Sequence, residues 1–181
     1  MSDLKRRLFP IIIASFILMV PGPNGNFSDA KTLRDSKMLP NSTGRPLPRF
    51  VSLRATVVNL RTGPGVRYPV DWVYERKYLP IEVIAEFDNW RKIRDVQGTQ
   101  GWIHQSMLSS RRMFIIISKM RTLRKKGGTK SLAVAKLATN VIGELKRCPA
   151  ALGWCEVSAG GFKGWLRRVD FWGVYAQETI K

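Results

Sequence analysis

The chain is poor in the side chains that hydrolases and metalloenzymes use. Its 181 residues include one histidine and two cysteines. A structural metal site normally takes four ligands, drawn mostly from Cys and His. His104, Cys148 and Cys155 do not form such a set, so no metal and no cofactor is expected. Cys–His hydrolysis needs a thiol beside an activating imidazole. The sole imidazole, His104, follows Trp102-Ile103 on a predicted strand, and Cys155 has a better partner in Cys148. Gly-x-Ser-x-Gly, phosphate-loop and His-Glu-x-x-His patterns are all missing. No catalytic residue is assigned, and the expectation is a protein that is not an enzyme.

Acidic residues are also scarce. Thirteen face 31 basic ones, which leaves a formal charge of +18. Such a field draws anionic surfaces, or it serves solubility; both readings stand. Long apolar runs are missing except near the start. Leu8 to Val20 is thirteen residues long and includes Pro10, short of the roughly 20 needed to span a bilayer. Lys5, Arg6 and Arg7 precede this run, Pro21-Gly22-Pro23 ends it, and Ser28 and Ala30 form a small-x-small exit. Residues 1–30 are therefore expected to be a secretory signal peptide, with an uncleaved anchor as the alternative. No stable membrane span is expected after cleavage. Export places the chain in the periplasm or outside the cell. It also argues against nucleic acid as the partner for the positive charge and favours acidic cell-wall peptides, lipid phosphates or lipopolysaccharide.

Residues 31–49 combine Pro40, Gly44, Pro46 and Pro48 with no apolar period, the composition of a flexible linker. Pro46-Leu47-Pro48-Arg49 also has the form of a polyproline ligand, although a plain tether is the simpler reading. Cys148 and Cys155 bracket a turn-like connection between two strand-like runs. A hairpin there brings two Cβ atoms within bridging reach, and export favours oxidation. A disulfide is expected, with two free thiols as the alternative.

What the chain does have is a repeat. Trp90-Arg91-Lys92-Ile93 precedes Gly98-Thr99-Gln100-Gly101-Trp102-Ile103, and Trp154-Cys155-Glu156-Val157 precedes Gly161-Phe162-Lys163-Gly164-Trp165-Leu166. Asn59-Leu60-Arg61 is echoed by Thr122-Leu123-Arg124, and the offset stays at 62 to 64 residues. Self-similarity at a fixed period marks a duplicated structural unit. Gly63-Pro64-Gly65 and Asp88-Asn89 are turn signals between short β-branched runs, the pattern of a small sandwich or barrel. Gln105 to Leu108 is expected to be a single helical turn. Met113 to Ile117, beside Arg111-Arg112, is either a membrane-surface segment or a buried strand. The strand reading is preferred, with this strand ending the first unit. Trp102 and Trp165 are expected to be largely buried. The basic string Arg121, Arg124, Lys125, Lys126 and Lys130 reads as a solvated loop, and it is the best local candidate for binding anions.

Asn59-Leu60-Arg61-Thr62-Gly63-Pro64-Gly65, Tyr68-Pro69-Val70 and Gly-x-x-Gly-Trp resemble the bacterial SH3-like (SH3b) domains. The resemblance is closest to the exported, tandem family of alphaproteobacterial type. It is strong in the first copy. The second copy departs at the turn, where Lys125, Lys126 and Gly128 stand and no Tyr-Pro follows. The resemblance implies an all-β chain of two tandem SH3-like β-barrels, 50–117 and 118–181. From the repeat, each is expected to unfold largely by itself, provided the interface between them is small. It also implies a ligand groove beside the 59–65 turn, with Arg61, Tyr68 and Trp72 as ligand-binding residues. Trp72 has packing in the core or between barrels as its other reading. The implied ligand is a cell-wall peptide, peptidoglycan or an envelope protein. Two other functions stay open: an adaptor docked on a membrane-bound partner, and charge-driven adhesion to lipopolysaccharide or anionic lipid.

Overall fold

The structure is a computed structural model that describes residues 43–181. The expected signal peptide and most of the expected linker lie outside these residues. The regular structure is β-strand with three 3₁₀ turns. The first antiparallel sheet contains β1 (Arg49–Leu53), β2 (Val58–Arg61), β3 (Val70–Tyr74), β4 (Pro80–Phe87), β5 (Trp90–Arg94), β6 (Gln100–His104) and β7 (Leu108–Ser109), in the order β3-β2-β6-β5-β4-β1-β7. The second contains β8 (Met113–Ile116), β9 (Arg121–Arg124), β10 (Ala133–Leu137), β11 (Ile142–Arg147), β12 (Trp154–Ala159), β13 (Phe162–Arg167) and β14 (Phe171–Trp172). Its order, β10-β9-β13-β12-β11-β8-β14, is that of the first sheet advanced by seven strands.

The geometry explains the Gly-x-x-Gly-Trp motif. The first glycine of each copy turns the hairpin at positive φ, +92° at Gly98 and +85° at Gly161, a conformation costly for any residue with a Cβ. The second glycine has no room for a side chain. A Cβ on Gly101 would lie 2.5 Å from Leu60 Cγ, and one on Gly164 would lie 2.6 Å from the Arg124 carbonyl oxygen. At these points β6 and β13 cross β2 and β9, where Arg61 pairs with Trp102 and Arg124 with Trp165.

Side chains alternate faces along a strand, so within each strand the residues an odd number of positions after its repeat tryptophan point inward. Ile93 and Ile103 lie in one core, and Val157 and Leu166 lie in the other. Trp102 and Trp165 are only half-buried. The expectation that they are core residues is corrected: the glycine and the aliphatic beside each one take the inward positions.

The apolar run at 113–117 is a buried strand, but it belongs to the second sheet. β8 pairs with β11 and β14 and stands where β1 stands in the first sheet. Its two faces serve different cores: Ile115 packs with the first, and Phe114 and Ile116 with the second. Both faces need apolar residues, so the sequence run shows no alternation. The first sheet ends instead on β7, which pairs with β1.

Part of the stretch expected to be linker is held in place. Thr43 donates to Glu86 through its backbone N–H and its hydroxyl, and Arg49 opens β1 and donates to Glu86 Oε1. Glu86 is buried and also pairs with buried Arg91 at 3.3 Å. At the other end of the chain, Cys148 and Cys155 form a disulfide. Ile180 bridges to Cys148 with backbone hydrogen bonds of 2.8 and 3.1 Å. Buried Arg168 ties the same corner together by donating to the carbonyls of Tyr175, Glu178 and Pro149.

Candidate functional site: two equivalent clefts

The turn after β2 is built around Arg61. Its Nη1 donates to the Val66 carbonyl at 3.1 Å and to the Tyr68 carbonyl at 2.7 Å. The Tyr68 ring lies over Gly63, where a Cβ would be 2.4 Å from the ring, and the Arg67 guanidinium stands 5.3 Å from the ring centroid. Gly-Pro-Gly and Tyr68 therefore shape the loop, and Arg61 fastens it.

Between this turn and the hairpin opposite lies an open cleft of about 320 Å³, lined by Val57, Asn59, Arg61, Val66, Trp90, His104, Ser106 and Met107. Val57, Val66 and Met107 expose apolar surface. The Trp90 ring meets the His104 ring edge-on at 5.4 Å. His104 caps the 3₁₀ turn Gln105–Met107: its Nδ1 accepts from the Ser106 N–H and lies 2.7 Å from Ser106 Oγ. The cleft is mostly apolar, with one guanidinium and one imidazole at its wall.

Of the three residues expected to bind ligand, only Arg61 lines this cleft. Tyr68 supports the turn beside it. Trp72 is 56% exposed on the outer strand β3 and lines a separate hollow with Leu79, Val96, Ile115 and Asn140. The structure therefore does not place Trp72 with the other two. Trp90, His104 and Met107 were missed as site residues. Trp90 was visible as a repeat position, but nothing local marked the face it turns outward. A further hollow, lined in part by Arg45, Arg49, Arg54 and Arg91, adjoins the first cleft at His104 and Ser106. Arg49 and Arg91 there are engaged with Glu86. Burial pushes the Glu86 carboxyl up, but the hydrogen bonds from Arg49 and Thr43 outweigh it and hold the group below its ordinary value.

The second sheet carries a cleft at the same place. It encloses about 290 Å³ and is lined by Met120, Arg121, Thr122, Arg124, Thr129, Trp154, Arg167 and Asp170. Six of these residues, Met120, Thr122, Arg124, Thr129, Arg167 and Asp170, follow Val57, Asn59, Arg61, Val66, His104 and Met107 by 63 positions each. Arg124 repeats the role of Arg61 by donating to a loop carbonyl seven residues on, that of Ser131, at 2.6 Å. Trp154 repeats Trp90 at the strand start. The chemistry differs. Arg167 replaces His104, and Asp170 replaces Met107. Arg167 donates to both Asp170 oxygens at 3.0 Å, and Arg121 Nη1 lies 2.9 Å from Asp170 Oδ1. These bonds from Arg167 to Asp170 raise the guanidinium above its ordinary value.

Among the described residues, no group of three His, Cys, Asp or Glu side chains is placed to hold a metal, and no helix is long and apolar enough to cross a membrane. No curated protein matches the chain. Two solved structures from Trichomonas vaginalis are similar to it. NlpC2 shows 9% identity and a TM-score of 0.32 over 69% of this chain and 48% of that one. NlpC1 shows 10% identity and a TM-score of 0.32 over 71% of this chain and 46% of that one. The chain thus spans about half the length of these two proteins. A family model described as a bacterial SH3 domain matches residues 54–110, and the residues lining the first cleft all fall within that segment.

Proposed function

We propose that the chain is an exported, non-enzymatic binding protein of the cell envelope, built of two SH3-like barrels in tandem. Its first cleft takes a cell-wall peptide. The observation that carries this reading is the cleft between the Arg61-fastened turn and the Trp90–His104 hairpin, on the segment that matches a bacterial SH3 domain. Its apolar wall accepts aliphatic side chains, and its Arg61 edge faces an acidic ligand group. Two further features favour binding over catalysis. Cys155 is oxidised with Cys148, which removes the thiol as a nucleophile. His104 is engaged as the cap of its own 3₁₀ turn.

Co-sedimentation with purified cell-wall sacculi tests the proposal. Wild-type protein is expected to sediment with sacculi and to stay bound at about 1 M salt, where charge is screened within roughly 3 Å. Trp90→Ala is expected to weaken capture at least fivefold with a melting temperature close to wild type. Release at high salt would instead assign binding to the net charge. Failure to sediment, with one stoichiometric protein recovered by crosslinking in cells, would assign the chain to an adaptor role. Amino-terminal sequencing of envelope protein checks export and should find a start at or near Lys31.

A further inference from the structure

The two clefts occupy equivalent positions and differ in polarity. In the first, His104 and Met107 close one wall; in the second, Arg167 and Asp170 stand there. A cleft kept only as scaffold has no need for three arginines and a single carboxylate in its lining. Arg121, Arg124 and Arg167 line it with Asp170 as the lone acid, an excess of two positive charges. Lys125, Lys126 and Lys130, on the adjoining loop, are exposed.

We propose that the second cleft is an oxyanion-binding site in which Arg121 and Arg167, aligned by Asp170, receive a carboxylate or phosphate group against the Trp154 wall. Each guanidinium carries five N–H donors in a fixed fork that matches such groups. Asp170 takes one contact from Arg121 and two from Arg167, and the Arg121 Nε is buried, so the Nη2 group of Arg121 and the Nη1 group of Arg167 are left for a ligand. Asp170 is itself buried and fixes the direction of both forks, so less side-chain freedom is lost when a ligand arrives. Arg124 is committed to the Ser131 carbonyl through Nη1 and adds charge along the wall. The inference rests on this cleft alone and does not depend on the ligand of the first.

The test is a titration of isotope-labelled full-length protein with inorganic phosphate and, separately, with succinate, at constant ionic strength. Saturable shifts are expected at the Trp154 indole N–H and the Arg121 and Arg167 Nε–H signals, while the Trp90 indole stays still. Tighter binding of phosphate would identify a phosphate-bearing ligand, and tighter binding of succinate a carboxylate. Arg167→Gln is expected to weaken binding about tenfold, as for the loss of one charge-assisted hydrogen bond. Arg167→Lys should weaken it severalfold, because the charge remains and the fork does not. Lys125→Gln with Lys126→Gln should change it less than twofold. The Arg167 side chain is 45% exposed, so both variants are expected to fold; if the Gln variant does not, the Lys variant decides. The proposal is overturned if neither anion gives saturable shifts, if Arg167→Lys binds like wild type, or if the paired lysine variant abolishes binding.

Discussion

Tyr175 Oη donates a 2.7 Å hydrogen bond to Glu82 Oε1, across 93 residues of chain. Tyr175 follows the last strand of the second sheet, and Glu82 is buried on β4 of the first, where Arg94 also donates to it. Burial, then the hydrogen bond to Glu82, raises the Tyr175 hydroxyl above its ordinary value, so it stays a donor. Around this bond, the Phe50 ring meets Trp172 at 4.8 Å and Tyr175 at 4.7 Å, and Ile115 of β8 enters the first core. The two sheets share an interface, whereas separate unfolding is expected only where that interface is small.

A single unfolding transition is therefore expected by calorimetry. Tyr175→Phe should lower stability by about 1–2 kcal/mol, the loss of a partly buried bond to a charged group. Phe50→Ala should lower it by about 3 kcal/mol. Both variants should still melt in one step. Two resolved transitions in the wild type would show that the interface does not couple the sheets.

The glycines and tryptophans of the repeat should behave in opposite ways to their sizes. Gly164→Ala forces a Cβ onto the Arg124 carbonyl and should cost about 1–3 kcal/mol by overpacking. Trp102→Ala and Trp165→Ala remove half-exposed rings and should cost less than the roughly 3–5 kcal/mol of a buried aromatic. Urea midpoints of the three variants decide between these orders.

Acid should unfold the protein through two carboxylates. Burial pushes Glu178 up, but Arg112 and the Tyr175 N–H outweigh it and lower it below its ordinary value, as Arg49 and Thr43 do for Glu86. A group lowered in the folded state contributes stability that is complete above the ordinary value of 4.5. That stability is lost as the pH falls through the lowered values. Urea midpoints should hold steady down to about the ordinary value of 4.5, decline below it, and level off once the pH is under the lowered values. The decline should be shallower in Glu86→Gln and Glu178→Gln, measured against each variant's own neutral-pH stability.

Reduction should act at the carboxyl-terminal corner. Closing the short loop between Cys148 and Cys155 is worth about 2 kcal/mol, the low end of the usual range. Reductant should lower the melting temperature and speed amide exchange at Ile180, which bridges to Cys148. An unchanged exchange rate at Ile180 would show that the tail is held without the disulfide, by contacts such as those of Arg168 and Arg112.

The local devices were legible in the sequence because each depends on a few neighbouring residues. Gly98 and Gly161 turn their hairpins through backbone freedom. Cys148 and Cys155 sit across one turn. The β-branched runs have strand length, and the fall of Trp, Gly and Arg at an offset of 63 or 64 residues marks two like sheets. Which partner a strand meets depends on contacts far away along the chain. The run at 113–117 is apolar on both faces and has no alternation to show its owner, so only its pairing with β11 and β14 assigns it to the second sheet. The same holds for the clefts. Arg61 was visible from its motif, but Trp90, His104 and Met107 meet only when β5 and β6 fold against the turn. Arg121, Arg167 and Asp170 converge only because the second sheet repeats that fold. The sequence by itself determined an all-β chain with a duplicated hairpin. The tertiary structure decided which side chains face the two cores, which line the two clefts, and that Tyr175 reaches Glu82, because each depends on strand pairings between residues distant in sequence.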